Sequence, residues 1–145
     1  MTTEITALSG FVRGFSFQCR PLSISHFSVL AHGATTDDLT AHNKAAVSPY
    51  KYPVVQGSLL ASLCFKFHQE AVQISKIQPV LLFSEDRFSS VTFVDVPIFT
   101  QLEIVQVSGK TNPVVKWAIT VEQEKRGSIA TTYKGSRTMK YFPIP

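Results

Sequence analysis

The stretch Pro53-Val-Val-Gln-Gly-Ser-Leu-Leu-Ala-Ser-Leu-Cys-Phe-Lys-Phe67 predicts the central element of the fold. Its apolar residues recur at the spacing of one helix face and form a wide stripe, made of Leu59, Leu63 and Phe67 with Leu60 and Cys64 beside them. The Gly57–Ser58 corner opens this helix, and the first backbone N–H groups of a helix have no helical acceptor. We therefore predict a long amphipathic helix whose N-terminus, at Gly57, is the first place to look for chemistry.

The rest of the chain is dominated by strand patterns. The clearest is an apolar alternation over Val115, Trp117, Ile119 and Val121. The other predicted strands are Gly10–Cys19, Ile77–Phe83, Asp86–Asp95, Phe99–Val107 and Ile129–Phe142, with a hairpin loop at Glu124–Gly127. Because the helix stripe needs an apolar partner, we expect an α+β fold in which an antiparallel sheet wraps around one long central helix.

Composition narrows the class of protein. A length of 145 residues predicts a single domain over residues 1–145, and 44% hydrophobic with 17% charged residues fits a globular protein. No apolar run reaches the ~20 residues of a membrane span, and the first residues lack signal-peptide features, so we expect a cytoplasmic protein with no membrane partner. The net charge of +4 is scattered, which argues against nucleic-acid binding. Cys19 and Cys64 are not at metal-ligand spacing, so no metal is expected.

The segment before the central helix is irregular. His26–Leu30 could form one or two helical turns, whereas residues 31–52 are polar, with only a short helix predicted at Ala41–Val47. Loops of this length inside a compact domain are often functional.

Two motifs of the chain resemble the MaoC-like, (R)-specific enoyl-CoA hydratase family of hot dog proteins. The helix stretch from Pro53 to Leu63 is similar to the family segment Pro-Ile-Val-His-Gly-Met-Leu-Leu-Ala-Ser-Leu. The stretch from Arg87 to Pro97 is similar to the family pattern R-F-x-x-P-V-F-x-G-D, and the likeness extends to Pro143. The resemblance implies a single hot dog domain and covers most of the chain from about Phe27 onward.

The resemblance also implies an activity and a site. Family members are hydratases or dehydratases that act on the α,β-bond of an acyl thioester, interconverting trans-2-enoyl and (3R)-hydroxyacyl forms. In this chain Gly57 would donate its N–H to the thioester oxygen, and Gln56 and Ser58 would contact the substrate. An Asp and a His would share the water, since a carboxylate beside an imidazole can pass protons in both directions.

The position of that Asp–His pair is open, because the family signature Ser-Gly-Asp-x-Asn-Pro-x-His is altered. With a three-residue deletion in the loop, the pair falls on Asp37 and His42, which have the family's separation of five positions. We favour this placement. Without a gap, Gly33 matches the signature glycine, but the pair becomes Ala34 and Leu39, which cannot transfer protons. His32 or Asp38 could then take part instead.

The predicted function is therefore a lyase that uses acyl-CoA or an acyl carrier protein substrate. It would need no cofactor beyond the CoA or phosphopantetheine that is part of the substrate. Family members usually form homodimers, with two helices side by side under a joined sheet, and a homodimer is expected here. The altered signature keeps two alternatives open: an enzyme of another class, such as a thioesterase or a polyketide-tailoring isomerase or cyclase, and a non-catalytic acyl-thioester-binding subunit.

Overall fold

The computed structural model describes residues 3–36 and 53–145, and for residues 35 and 36 the backbone alone. Two helices, α1 (His26–Thr36) and α2 (Gly57–Ala71), precede the long strands. The strands are β1 (Ser16–Gln18), β2 (Leu22–Ser23), β3 (Ile77–Phe88), β4 (Pro97–Ser108), β5 (Val114–Lys125) and β6 (Ser128–Pro143). In this part of the chain no helix is long and apolar enough to cross a lipid bilayer.

All strand pairs of the sheet are antiparallel, as expected. The order across the sheet is β1-β4-β5-β6-β3, and β2 pairs with β4 on the same side as β1. Strand β3 pairs with β6 from Ile77↔Pro143 to Phe88↔Tyr133 and forms the edge of the sheet. The β5–β6 hairpin turns through Arg126 and Gly127, which both have positive φ angles of 51° and 80°. A two-residue turn in which both φ angles are positive has a backbone twist that matches the right-handed twist of the flanking strands.

Helix α2 packs its apolar face on the sheet, so the α+β architecture is confirmed. The alternation in β5 is also confirmed, since all four inward residues are buried: Val115, Trp117, Ile119 and Val121. The buried stripe of α2 differs slightly from the predicted one. It consists of Leu60, Cys64, Phe67, His68 and Ala71, whereas Leu59 and Leu63 are half-buried beside it. The helix therefore faces the sheet along a line rotated by about one residue from the predicted stripe.

Two boundaries predicted for the first half of the chain were wrong, and a third prediction is untested. The first strand begins at Ser16 rather than Gly10, because the chain turns at Gly14, which has a φ of 91°. Helix α1 continues to Thr36 through a segment that we expected to be irregular; Val29 and Gly33, four residues apart, form its buried face. The predicted helix at Ala41–Val47 lies outside the described residues.

The predicted strand Asp86–Asp95 does not exist as a separate element. Residues up to Phe88 belong to β3, and residues 89–96 form a loop. The loop's backbone groups bond to several separate partners. The buried Gln123 amide accepts from Phe93 N–H at 2.8 Å and donates to the carbonyl oxygens of Phe93 and Val96. Ser89 N–H donates to Thr132 C=O in β6 at 3.0 Å. These partners satisfy backbone groups of the loop without a continuous strand ladder.

Candidate active site

The first N–H groups of α2 have no acceptor within the helix. Gln56 is the N-cap residue and makes no side-chain capping bond, and the first helical bond runs from Leu60 N–H to Gln56 C=O at 3.1 Å. The N–H groups of Gly57, Ser58 and Leu59 therefore precede the helical ladder. The positive end of the helix dipole adds to their attraction for a negatively charged oxygen.

Two neighbouring segments fix the position of this helix end. Val55 N–H donates to Thr92 C=O at 2.8 Å, and Val94 N–H donates to Pro53 C=O at 3.1 Å. The 89–96 loop thus pairs with the residues that lead into α2. The buried Gln123 side chain of β5 also bonds to that loop. The helix N-terminus is therefore fixed to the sheet through this loop and is preorganised before any ligand binds.

Gln56 ties α1 to α2. Its side chain is only 1% exposed, and its Nε2 donates to Val29 C=O at 2.9 Å. This contact crosses between the two helices, so the Gln56 side chain lies against the backbone of α1. Contact of Gln56 with substrate stays a prediction.

The second contact between the two helices joins His32 and Ser58. His32 Nε2 lies 2.8 Å from Ser58 Oγ, although the two residues are 26 positions apart in the chain. His32 is half-buried and Ser58 is exposed. An imidazole and a hydroxyl are therefore in hydrogen-bond contact next to Gly57, where the resemblance places the thioester carbonyl.

Only part of the predicted Asp–His placements can be located. Asp37, Asp38, Leu39 and His42 lie outside the described residues, so the favoured Asp37/His42 pair stays a prediction. Ala34, the Asp position of the gapless placement, lies on α1 and is exposed.

Phe88 covers the start of α2. A Cβ atom at Gly57 would lie only 3.0 Å from the end of the Phe88 ring. The absence of a side chain at Gly57 therefore allows the ring to pack this close to the helix. The Phe88 ring also contacts Tyr133, with 5.5 Å between ring centroids. About half of the Phe88 side-chain surface remains exposed, so the ring forms a wall at the site and is not part of the core.

A polar cluster behind Phe88 was missed by the sequence analysis. Asp86 is next to Arg87 in the sequence, but its carboxylate accepts hydrogen bonds from Arg137 Nη2, at 2.8 Å, and from the Tyr133 hydroxyl. The Arg137 guanidinium also donates to Ala61 C=O in α2, at 3.3 Å. The register of β3 on β6 places these side chains on the inner face, and a sequence shows that face only once the register is known.

Two small details show how closely this cluster is packed. A Cβ atom at Gly135 would overlap the Tyr133 hydroxyl, so glycine at this position makes room for the hydroxyl. Cys64 Sγ lies 3.4 Å from the same hydroxyl, and burial raises the pKa of its thiol. Burial also raises the pKa of Tyr133, and its hydrogen bond to Asp86 acts in the same direction. Both groups therefore stay protonated at neutral pH.

A cavity of about 250 Å³ lies between α2 and the edge strand β3. Its walls are mostly apolar, with the Arg137 side chain among them; they include Ala61, Phe65, Pro79, Leu81, Arg137 and Met139. Ala61 lies about one helical turn after Gly57, so the cavity is next to the helix N-terminus.

Comparison with solved structures identifies the fold. A MaoC-like dehydratase from Rhodospirillum rubrum superposes with a TM-score of 0.78 at 12% identity, covering 95% of this chain and 97% of the other. The (R)-hydratase from A. caviae involved in PHA biosynthesis gives 0.75 at 19% identity, covering 90% and 97%. This chain has the hot dog fold. The fold that the resemblance implied is therefore confirmed.

A third solved structure is a complex. The C-terminally truncated HadBC (3R-hydroxyacyl-ACP dehydratase) complex from Mycobacterium tuberculosis superposes with a TM-score of 0.71 at 10% identity, covering 88% of this chain and 96% of the other. The comparisons of sequence found no match, either to a protein-family model or to a curated protein. At these identities the solved structures establish the fold alone.

Proposed function

We propose that this protein is a lyase that adds water to, or removes water from, the α,β-bond of an acyl thioester carried on CoA or on an acyl carrier protein. The observation that carries the proposal is the start of α2, where Gly57 opens a fixed helix with N–H groups that have no helical acceptor. The apolar cavity next to it and the fold shared with (R)-hydratases support the same function.

The chemistry follows from where negative charge develops. When water adds to the β-carbon, the thioester oxygen gains enolate character, and a preorganised donor stabilises that oxygen more in the transition state than in the substrate. The Gly57 N–H and the helix dipole supply this stabilisation. Asp37 and His42 would activate the water and protonate the α-carbon, a role that typically accelerates a reaction by about 10²- to 10⁴-fold.

We predict that Asp37→Asn lowers the rate of crotonyl-CoA hydration at least about 100-fold, because the amide cannot accept the proton of the water. The loss of enoyl-thioester absorbance measures the rate. Asp95→Asn is the matched control and should keep the wild-type rate. Asp95 is exposed in the 89–96 loop with a φ of 62°, a conformation that asparagine also adopts. Equal rates for Asp37→Asn and the wild type would exclude Asp37 from the reaction.

A second candidate function is a non-catalytic acyl-thioester-binding subunit. It is favoured by Gly33 and Ala34, which lie in α1 where the gapless placement puts the signature Gly-Asp. Such a subunit would bind butyryl-CoA at the α2 N-terminus but would hydrate no enoyl-CoA. Calorimetric binding of butyryl-CoA together with the absence of hydration would select this candidate over the lyase.

The edge strand β3 supports the proposed homodimer. Four consecutive residues of β3 are 41–56% exposed, although all are apolar: Val80, Leu81, Leu82 and Phe83. A long edge strand with an apolar surface and unpaired backbone groups invites pairing with another strand. We propose that a second copy pairs its own β3 antiparallel to this one, which would join the two sheets and cover these side chains.

We predict that Leu82→Lys shifts the protein from dimer to monomer, because a charge would be buried at the joined edge. Size-exclusion chromatography with light scattering, at micromolar concentration, measures the mass. Ile129→Lys is the control, since Ile129 is equally exposed, at 59%, but lies beside the β5–β6 turn. A wild-type protein that is monomeric, or a Leu82→Lys variant that stays dimeric, would contradict this interface.

A further inference from the structure

We infer that Ser58 is a nucleophile that thioesters acylate, with His32 as its base. The pair is in hydrogen-bond contact, at 2.8 Å between His32 Nε2 and Ser58 Oγ. A serine within hydrogen-bond reach of an imidazole is the arrangement that activates a hydroxyl for attack on a carbonyl. The inference shares with the proposed function the binding of a thioester carbonyl at the start of α2, but it needs neither Asp37 nor His42.

The contact between these side chains is one of two hydrogen bonds that join α1 to the start of α2. Val29 and His32 lie three residues apart on α1 and therefore share one face of that helix. Val29 C=O receives the bond from the buried Gln56 amide, at 2.9 Å, immediately before Gly57. Two neighbouring residue pairs thus join α1 to the first turn of α2, and the imidazole is held beside the hydroxyl.

The position of Ser58 in the helix favours a nucleophile. It is the second residue of α2, where the helix dipole stabilises a developing alkoxide. Leu59 N–H, which follows the nucleophile, has no acceptor in the helical ladder. In sites where a serine sits at a turn into a helix, the N–H of the next residue is an oxyanion donor. Donors for a tetrahedral intermediate therefore flank Ser58 on both sides, at Gly57 and Leu59.

The other candidate nucleophiles lack these features. Ser62, one turn later, donates its hydroxyl proton to Leu59 C=O at 2.7 Å, which directs it to its own helix backbone. Cys64 is 1% exposed, and burial raises the pKa of its thiol. Cys19 is 2% exposed, and burial raises the pKa of its thiol as well. Ser58 is exposed and can meet a substrate from solution.

The reaction would run in two balanced steps. In the first, the Ser58 proton passes to His32 Nε2 while Oγ bonds to the thioester carbon. The carbon–sulfur bond then breaks, and His32 returns the proton to the leaving thiolate, which leaves an acyl-Ser58 ester and a free thiol. In the second, water loses a proton to His32 and attacks the ester carbon; the bond from that carbon to Oγ then breaks, and His32 gives the proton to Oγ, which releases the carboxylic acid and restores Ser58. The sum is hydrolysis of a thioester, with no oxidant or reductant.

Intact-protein mass spectrometry after acid quenching tests the inference, with butyryl-CoA and p-nitrophenyl butyrate as probes. We expect one butyryl group per wild-type chain, located at Ser58 by peptide fragmentation, and none on Ser58→Ala. His32→Gln should acylate about 100-fold more slowly, because the general base is lost. Ser75→Ala, in the exposed turn after the other end of α2, is the matched control and should acylate like the wild type.

Two results would overturn the inference: no butyryl group on wild-type Ser58 with either probe, or acylation of a folded His32→Gln variant at the wild-type rate. If His32→Gln does not fold, the location of the butyryl group in the wild type decides alone. Crotonyl-CoA hydration is measured separately, as loss of enoyl absorbance without thiol release. Acylation without hydration would keep Ser58 as a nucleophile and remove the proposed lyase, whereas hydration without acylation would do the reverse.

Discussion

Replacement of Arg137 by methionine is expected to lower the free energy of unfolding by about 3 kcal/mol, because it leaves the Asp86 carboxylate without its cation. The two side chains form an ion pair at 2.8 Å, and the Arg137 side chain is only 10% exposed. The same guanidinium donates to Ala61 C=O in α2 and to Glu85 C=O in β3. Its removal would therefore also take one hydrogen-bond donor from each of these part-buried carbonyl groups.

Denaturant unfolding at a fixed protein concentration measures this effect, since dimer formation would otherwise shift the midpoint. The double variant Asp86→Asn/Arg137→Met should recover more than about 1 kcal/mol, because it removes the uncompensated charge. Arg20→Met is the control: Arg20 also pairs with a carboxylate, that of Glu70 at 3.6 Å, but its side chain is 93% exposed. It should change stability by less than about 0.5 kcal/mol. Equal effects of Arg137→Met and Arg20→Met would contradict a structural role for the buried pair.

Helix α2 and strand β5 could be predicted because their signals are local. Each buries one face, so the spacing of its apolar residues predicts both whether it is a helix or a strand and which face is buried. The prediction of the α2 stripe was still inexact, because His68 is buried in it. A sequence pattern counts histidine as a polar residue and so predicts that it is exposed. The hydrogen bond of His68 to Tyr141 in β6 explains its burial, and this contact is not visible in the sequence.

The ends of elements and the polar contacts could not be predicted, because they depend on distant parts of the chain. Residues 89–96 look like a strand in sequence, but their backbone groups bond to the Gln123 side chain and to separate backbone segments. The contacts Asp86–Arg137 and His32–Ser58 join residues 51 and 26 positions apart. They follow from the β3–β6 register and from the docking of α1 on α2, which no single segment specifies. The family resemblance pointed to Gly57 but not to these contacts.

Acidification is expected to destabilise the protein by about 3 kcal/mol between pH 6.5 and 4, through His68. The ring is 2% exposed, and burial lowers its pKa from 6.5 to about 4. Between these values the unfolded chain binds a proton that the folded chain does not, so the free energy of unfolding falls as the pH falls. The loss begins near pH 6.5 and is complete below about pH 4, at about 1.4 kcal/mol for each unit of pKa difference.

The contacts of His68 hold the ring in the core, where burial lowers its pKa. Its Nε2 lies 2.6 Å from the Tyr141 hydroxyl, which also accepts a hydrogen bond from Trp117 Nε1 at 2.7 Å. The Tyr141 hydroxyl can donate its proton to His68 Nε2 or accept one from it, depending on the ring tautomer. A protonated ring would bury a charge in the core. We therefore expect His68→Gln to flatten the dependence of unfolding free energy on pH between 4 and 6.5, measured by denaturant titration at each pH. An unchanged slope in His68→Gln would assign the acid sensitivity to other groups.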